Sequence, residues 1–303
     1  MLQIYNYKAG KGDCIRLRFE GHNVFIDSGV IAFGPRLAQI CKEIEQAGEI
    51  IDAFILTHVD ADHIGGLLYN LRLHNTLTIS EVWMNHGRFI NGAVDLSVKQ
   101  NDEVYSLLTK RGITVLPACA GMEYNISSAF FRILAPEKSK LAQVFPGQQE
   151  VMLRAQSDYG YSLEELRNKP LTVKDTSTNN KASVIFEFLY KGQRLLFTGD
   201  AWSEDIVSVA ADSYDLLKLP HHGSVRNISE EWSSICCSNF MVCTDGVNHP
   251  DKQTVAKLLH WNTDVHFYAS AAWWKKMLHR NEKEYESCFE EGEELVWPIQ
   301  RKN

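Results

Sequence analysis

Four side chains able to bind a metal ion lie within six positions of the stretch THVDADHIGG, residues 57–66. They are His58, Asp60, Asp62 and His63, and they follow a short apolar run. His58 and Asp60 alternate on an extended segment, so both can point the same way, while Asp62 and His63 follow around the turn. Imidazole and carboxylate ligands suit zinc, manganese or iron, and the spacing allows two metal ions to share them. The alternative is a polar loop whose aspartates cap the next helix.

Three later stretches carry further candidates of the same chemical types. Asp200 ends a strand in RLLFTGD, where a carboxylate can bridge two cations or, alternatively, cap the helix that follows. His221 and His222 occur in LKLPHHGS, and adjacent histidines leaving a strand are expected to point in different directions. One of them should bind a metal ion and the other contact substrate or donate a proton, and the residues do not decide which. His249, in VNHP, is alternatively a helix-entry residue before Pro250.

These stretches resemble the metallo-β-lactamase superfamily, whose signature H-x-[HD]-x-D-H follows a strand. The form with aspartate in the second position, followed by IGG, is similar to the β-lactamase-like domain of ComEC-type DNA-uptake proteins. The resemblance continues in order through GKGDCIRLRF, NVFIDSG, NNKASVIFEF, RLLFTGD, LKLPHHGS and VNHP. It implies an α/β fold with four αββα layers and mixed sheets, and one or two divalent metal ions, Zn²⁺ or Mn²⁺.

The resemblance also implies roles for residues outside the first motif. It makes Asp200 the bridging ligand, and it makes Asp13 and Asp27 the groups that orient the metal-binding histidines. Read alone, both of those aspartates are turn formers. The residues that the resemblance places on the substrate side, or in support of the ligands, are Asn180, Ser183, Ser224 and Asn248.

The sequence departs from the superfamily pattern in one respect. Many members supply another metal-binding histidine before the later aspartate, but no histidine occurs here between His86 and His221. His86 is the only upstream candidate, and it comes early for that role. We therefore expect the first metal ion to have only His58, Asp60 and Asp200, with water completing an oxygen-rich set that favours manganese. The ComEC-like pattern shares this lack, so the departure argues against a β-lactamase rather than against metal binding.

Two cations held in this way would lower the pKa of a bridging water and supply hydroxide at neutral pH. That chemistry fits hydrolysis of a phosphodiester, the reaction class that the ComEC-like resemblance implies. Asp62 is expected to hold the nucleophile's metal ion, and His222 or His249 to protonate the leaving group. The alternatives are a small-nucleotide phosphodiesterase and a metal-binding subunit of a larger assembly, such as one in genome defence, whose activity depends on a partner.

The elements that must position these residues alternate between short apolar runs and helical periods. Strands are predicted at residues 3–7, 14–19 and 23–26, as an antiparallel meander, and then at 53–56, 81–84, 113–116, 130–134, 182–189, 194–197, 215–219, 240–243 and 265–268. Helices are predicted at residues 37–44, 100–110, 203–211 and 252–259. Gly65 and Gly66 should let the backbone pass close to the site. The pattern favours one α/β domain over residues 1–303. Residues 136–180, with a helical patch at 163–166, are interpreted as an insertion or lid, and a mobile surface loop is the alternative.

Composition bounds the function further. A net charge of -7 over 303 residues argues against a non-specific duplex-DNA binder. Seven cysteines without a C-x-x-C pair indicate a reducing compartment, so a cytoplasmic protein is expected, with Cys236 and Cys237 as buried thiols. No apolar run is long enough to span a membrane.

The expected partner is single-stranded nucleic acid or a nucleotide, or else a protein in a larger assembly. Residues that could form the basic, base-stacking groove of a strand nuclease are Lys218, Arg226, Lys275, Lys276, Trp273 and Trp274.

Overall fold

The computed structural model describes residues 1–73, 77–89, 99–144 and 157–298. Most of its strands alternate buried and half-exposed residues or are buried throughout, as strands between two packed layers must be. In chain order the strands are β1 (Leu2–Asn6), β2 (Ile15–Phe19), β3 (His22–Ile26), β4 (Ile50–Ile55), β5 (Glu81–Trp83), β6 (Thr114–Leu116), β7 (Glu123–Ile126), β8 (Ala129–Ala135), β9 (Ile185–Tyr190), β10 (Gln193–Phe197), β11 (Leu216–Lys218), β12 (Asn239–Val242), β13 (His266–Ala269), β14 (Phe289–Glu291) and β15 (Glu294–Trp297).

These strands form two mixed sheets. The first has the order β15-β1-β2-β3-β4-β5-β6, with antiparallel pairs from β15 to β3 and parallel pairs from β3 to β6. The second has the order β14-β13-β12-β11-β10-β9-β8-β7, parallel from β14 to β10 and antiparallel from there to β7. The predicted opening meander is confirmed, since β1, β2 and β3 are antiparallel neighbours.

Helices cover the outer faces of both sheets. They are α1 (Gly34–Gln46), α2 (Ala61–Arg72), α3 (Lys99–Lys110), α4 (Lys138–Val144), α5 (Leu163–Asn168), α6 (Thr178–Lys181), α7 (Ser203–Val209), α8 (Lys252–Trp261) and α9 (Trp274–Met277). One apolar core lies between the sheets and includes Phe19, Phe131 and Phe186, while separate cores join α1, α2 and α3 to the first sheet and α7 and α8 to the second. The predicted αββα layering is therefore confirmed.

Several details differ from the sequence prediction. The strand expected at 182–189 begins at Ile185, because Ala182 still caps α6. Strands β7, β14 and β15 were not predicted, and the last of these extends the first sheet by pairing with β1. Cys237 is buried as expected, but Cys236 is exposed, so the prediction of two buried thiols is wrong for Cys236. Among the described residues, no helix is both long and apolar enough to cross a bilayer.

The polar segment at 136–180 is packed against the domain wherever it is described. Asp158 accepts hydrogen bonds from the backbone N–H groups of Lys252 and Gln253, at the start of α8. Leu163 and Leu166 of α5 are buried beside that helix, and the helical patch predicted at 163–166 is confirmed. The end of the segment, which includes Asn180, lies beside His221 at the carboxyl end of β11. Residues 145–156 lie outside the described part.

Candidate metal centre

The candidate residues collect at the carboxyl ends of parallel strands. Asp27 follows β3, the 57–63 loop follows β4, Asp200 follows β10, and His221 and His222 follow β11. Such strand ends form the usual ligand-binding edge of an α/β sheet, because the loops that leave them diverge there. The first motif thus meets residues that lie more than 130 positions later in the chain.

The 57–63 loop is held in place from below by Asp27. The Asp27 carboxylate accepts hydrogen bonds from the Thr57 backbone N–H at 2.8 Å and from the Thr57 hydroxyl at 2.6 Å. It also accepts from Nδ1 of His63 at 2.7 Å. Because Nδ1 carries the proton, Nε2 of His63 has a free lone pair, and it faces Oδ2 of Asp200 at 3.4 Å. This contact has the form that the sequence analysis expected of Asp27.

Asp13 contacts Nδ1 of His222 as Asp27 contacts Nδ1 of His63. One Asp13 oxygen lies 3.1 Å from Nδ1 of His222, which also lies 2.9 Å from the carbonyl oxygen of Cys243. The other oxygen pairs with the ammonium group of Lys218. Nε2 of His222 is left to face Asp200. Asp13, His63, Asp200 and His222 have possible ligand atoms within 4.8 Å of one another, but Asp13 is a poor ligand because both of its oxygens are engaged.

The Asp200 carboxylate lies at the middle of the cluster. Its Oδ2 is 3.4 Å from Nε2 of His63 and 3.6 Å from Nε2 of His222. The same oxygen is 3.9 Å from Nε2 of both His58 and His221. Four imidazole nitrogens therefore converge on one carboxylate oxygen. Two further carboxylates border this group, since Asp60 lies 3.7 Å from Nε2 of His58 and Asp62 lies 3.9 Å from Nε2 of His222.

These separations fit divalent metal ions better than direct hydrogen bonds. Ligand atoms at about 2.0–2.2 Å from a tetrahedral ion are about 3.3–3.6 Å apart, whereas hydrogen bonds to nitrogen are about 2.7–3.2 Å long. Within the described residues, Nε2 of His58, His63 and His222 is buried without a hydrogen-bond partner. Buried polar atoms without partners are costly, so three of them around one carboxylate indicate a site fitted to a cation.

The electrostatics of the cluster lead to the same conclusion. Burial by itself would lower the pKa of His63, but the Asp200 and Asp27 carboxylates raise it well above its usual range. Burial would raise the pKa of Asp200, but His222, His63 and His221 hold it well below its usual range. The carboxylates thus favour positive charge at His63. A divalent ion bound there would supply that charge.

A fully buried lysine lies beside the cluster. The Lys218 ammonium donates to the carbonyl oxygen of Gly199 at 2.8 Å, pairs with Asp13 and lies 3.6 Å from Oδ1 of Asp200. Burial would lower the pKa of Lys218, but Asp13 and Asp200 raise it above its usual value. Oδ1 of Asp200 therefore faces a fixed cation while Oδ2 faces the histidines. The sequence analysis placed Lys218 in a surface groove, and its burial makes that placement wrong.

Two glycines allow the loops to meet. A side chain at Gly12 would lie 1.7 Å from the carbonyl oxygen of Asp62, so the loop between β1 and β2 rests directly on the 57–63 loop. A side chain at Gly66 would lie 2.1 Å from the carbonyl oxygen of Ser28. The predicted close approach at Gly66 is confirmed. Next to Gly12, Lys11 reaches Asp62 at 3.0 Å from the solvent side.

The remaining predicted residues fall at different distances from the centre. Asn180 lies 3.1 Å from Nδ1 of His221, and the Ser183 hydroxyl accepts the backbone N–H of Asp200 at 3.1 Å. The Ser224 hydroxyl accepts the backbone N–H of Arg226, two residues along its own turn. His249 borders the pair, with its ring centroid 5.2 Å from that of His221.

Other candidates are not brought into the cluster. Asn248 is exposed. Both nitrogens of His86 are engaged, by Asp102 at 2.9 Å and by the backbone N–H of Arg88, so it does not supply the missing ligand. Trp273 and Trp274 are buried in the core under the second sheet rather than lining a groove.

Sequence reasoning missed Asp175 and Asn179. Asp175 accepts hydrogen bonds from Asn180 and Asn227, each at 2.8 Å, and lies 3.4 Å from Nδ1 of His221. The Asn179 amide donates to Asp60 at 2.9 Å. Both residues lie in the polar stretch KDTSTNNK, which carries no spacing signal of its own. Asn179 begins the stretch NNKASVIFEF that belongs to the resemblance, whereas Asp175 lies before it.

Comparison with known proteins agrees with this architecture. The family model described as the metallo-beta-lactamase superfamily matches residues 7–82, from the loop after β1 into β5, including the 57–66 stretch. With the two mixed sheets and the outer helices, this match identifies the metallo-β-lactamase fold. The superfamily consists mostly of metal-dependent hydrolases and binds divalent metals. The finer resemblance to ComEC-type proteins stays a prediction.

Solved structures of the same fold are similar at low identity. The metallo-beta-lactamase fold protein YhfI from Bacillus subtilis is 10% identical, with a TM-score of 0.42 over 95% of this chain and 93% of that one. The short form of human tRNase Z is 12% identical, with a TM-score of 0.43 over 98% and 100%. A Cronobacter sakazakii metallo-beta-lactamase with a HARLDQ motif is 14% identical, with a TM-score of 0.33 over 66% of this chain, which spans 59% of that protein's length. No curated protein matches the chain.

Proposed function

We propose that this protein is a metal-dependent hydrolase of phosphodiesters. The observation that carries the proposal is the convergence of four imidazole Nε2 atoms on Oδ2 of Asp200, at 3.4–3.9 Å, with carboxylates on either side. A pair of divalent ions bound there would lower the pKa of water and stabilise negative charge in the reacting group. The ligands available for the two ions are imidazoles and carboxylates, which suits zinc or manganese.

Side chains around the centre support an anionic substrate. Lys11 is half-exposed, and its ammonium lies 3.0 Å from Asp62 on the open side of the cluster. A cation in that place can contact an anionic group of a substrate, such as a non-bridging phosphate oxygen. The position of Lys11 therefore favours an anionic substrate, which a phosphodiester is.

His249 is the candidate for the leaving-group side. His222 points its Nε2 at Asp62 and Asp200, in the position of a ligand, which leaves His249 as the histidine free to meet substrate. Burial lowers the pKa of His249, against the pull of Asp251, so its imidazole is neutral at neutral pH before substrate binds. An anionic substrate would raise that pKa again and make His249 able to donate a proton.

The phosphodiester could belong to a nucleic acid or to a small nucleotide. Three of the residues suggested for a groove that binds single-stranded nucleic acid do not line the surface, because Lys218, Trp273 and Trp274 are buried. Single-stranded DNA, RNA and cyclic nucleotides should therefore be compared directly. A subunit that needs a partner for activity is the alternative from another class, and it predicts full metal binding without turnover in the isolated chain.

Hydrolysis of bis-p-nitrophenyl phosphate tests the proposal. The protein is stripped of metal, reloaded with manganese or zinc, and compared with Asp200→Ala and with Asp212→Ala, which removes an exposed carboxylate from the loop after α7. We expect turnover that returns with metal, persists in Asp212→Ala and is lost in Asp200→Ala. Native turnover by the metal-stripped protein or by Asp200→Ala would contradict the proposal.

A further inference from the structure

We propose that His221 and His222 bind different metal ions, so that each of two sites has two imidazoles, one carboxylate of its own and a share of Asp200. The first site would consist of His58, His221 and Asp60, and the second of His63, His222 and Asp62. The inference rests on the proposed metal-dependent function and specifies its ligands. It replaces the expectation that one histidine of the pair contacts substrate.

The backbone at the pair is what makes double ligation possible. His221 and His222 both have positive φ, at 45° and 57°, in the left-handed region that residues other than glycine seldom adopt. Two consecutive residues in that region do not follow the alternation of a strand, and both imidazoles reach the same carboxylate. Their Nε2 atoms lie 3.9 Å and 3.6 Å from the same oxygen of Asp200. Unfavourable backbone geometry of this kind is found where function requires it.

Neighbouring contacts assign the two histidines to opposite ends of the cluster. Nε2 of His222 lies 3.9 Å from Asp62. His221 instead contacts Asn180 at 3.1 Å, and the preceding residue, Asn179, donates to Asp60. His221 is therefore tied to the Asp60 end of the cluster, where His58 also lies.

Each histidine of the pair has a separate carboxylate near its other nitrogen. Nδ1 of His222 lies 3.1 Å from Asp13 and 2.9 Å from the carbonyl oxygen of Cys243. Nδ1 of His221 lies 3.4 Å from Asp175 and 3.1 Å from the side-chain nitrogen of Asn180. A carboxylate at Nδ1 selects the tautomer whose Nε2 is free to bind metal. Asp175 is thus a positioning residue for the first site, as Asp13 is for the second.

Double ligation also accounts for the missing upstream histidine. With His221 included, the first site has two nitrogen and two oxygen ligands, the same set as the second site. That set suits zinc, whereas the oxygen-rich site expected from the sequence would favour manganese. The two sites should then fill with comparable affinity.

Metal counting tests the inference without reference to substrate. The metal-stripped protein is loaded with excess zinc, freed of unbound metal and analysed by mass spectrometry for zinc per chain. We expect two ions in the unmodified protein and in the control His260→Ala, an exposed histidine of α8, and one ion each in His221→Ala and His222→Ala. With manganese, the electron paramagnetic resonance spectrum should change from that of a coupled pair to that of an isolated ion in His221→Ala. Two ions and a coupled spectrum in His221→Ala, or a single ion in the unmodified protein, would overturn the inference.

A milder variant keeps the test valid if His221→Ala does not fold. Asp175→Asn should weaken zinc binding at one of the two sites by about 10-fold to 100-fold, in the range known for residues that support metal ligands. Unchanged affinity at both sites would overturn the assignment of His221. Two bound ions without phosphodiester hydrolysis would contradict the proposed reaction while leaving this ligand assignment intact.

Discussion

The two sides of the metal centre are built differently. The amino-terminal side is one continuous segment, residues 57–63, that runs from the end of β4 into the first turn of α2 and whose ligands are neighbours in the chain. The carboxy-terminal side is assembled from separate loops that contain Asp175, Asp200 and the pair His221–His222. On the first side, local backbone geometry sets the spacing of the ligands. On the second side, the spacing of the ligands depends on how the loops are held against one another.

Buried polar contacts hold the second side together. Lys218 joins Asp13 to the loop of Asp200, and Asn227 joins Asp175 to the backbone carbonyl of Asp200 at 3.1 Å. On the first side, Asp27 bonds Thr57 and His63, and Ser28 and Asn179 add single contacts to His63 and Asp60. We therefore expect substitutions on the second side to affect both stability and metal binding, and substitutions on the first side to act mainly on the metal.

The largest effect is expected where the two sides meet, at Asp200. Asp200→Ala removes the oxygen on which all four imidazoles converge, so both ions should be lost. Phosphodiester turnover should fall by about 10³-fold or more, because the ions contribute several kcal/mol to charge stabilisation. Zinc content and turnover are measured on the same sample, beside Asp212→Ala. A variant that keeps both ions would show that the two sides do not share this ligand.

The next largest effect is expected at Lys218. Lys218→Met leaves the carboxylates of Asp13 and Asp200 buried without their cation, which should lower the free energy of unfolding by about 3–5 kcal/mol in the metal-free protein. Bound metal ions would compensate the same carboxylates, so the loss should shrink when zinc is present. Urea unfolding with and without zinc measures both values.

Lys275→Met is the matched control for Lys218→Met, because Lys275 is exposed and its substitution should change stability by no more than about 0.5 kcal/mol. An equal loss of stability in Lys218→Met with and without zinc would mean that Lys218 supports the fold and not the metal centre.

A smaller effect is expected at Asp27, on the first side. Asp27→Asn weakens the acceptor that fixes Nδ1 of His63, and zinc affinity should fall by about 10-fold to 100-fold at the site that contains His63. Competition with a chelating dye can resolve the two binding steps. If Asp27→Asn and Asp175→Asn weaken the same step, the division of ligands between two sites is wrong.

The contrast between the two sides also explains what the sequence could predict. The ligands of the 57–63 loop could be predicted because they are close in sequence, and the layers could be predicted from alternating apolar patterns. The joint approach of His221 and His222 to Asp200 could not be predicted, because their positive φ values depend on tertiary contacts that no local pattern records. Lys218 was misplaced for a related reason, since a lysine is assigned to the surface unless its buried partners, here Asp13 and Asp200, are known.

The smallest effect is expected at the entrance, at Lys11. The close approach of Gly12 to Asp62 holds Lys11 at the open side of the cluster, where its ammonium can contact a phosphate oxygen. Because Lys11 is half-exposed and screened by water, Lys11→Gln should raise KM for bis-p-nitrophenyl phosphate about fivefold, with kcat nearly unchanged. Steady-state kinetics at low and high salt measure the effect, and Lys8→Gln, which alters an exposed lysine paired with Glu291, is the control. A fall in kcat with unchanged KM would instead assign Lys11 to the chemistry around Asp62, and the first side would then contribute more than metal ligands.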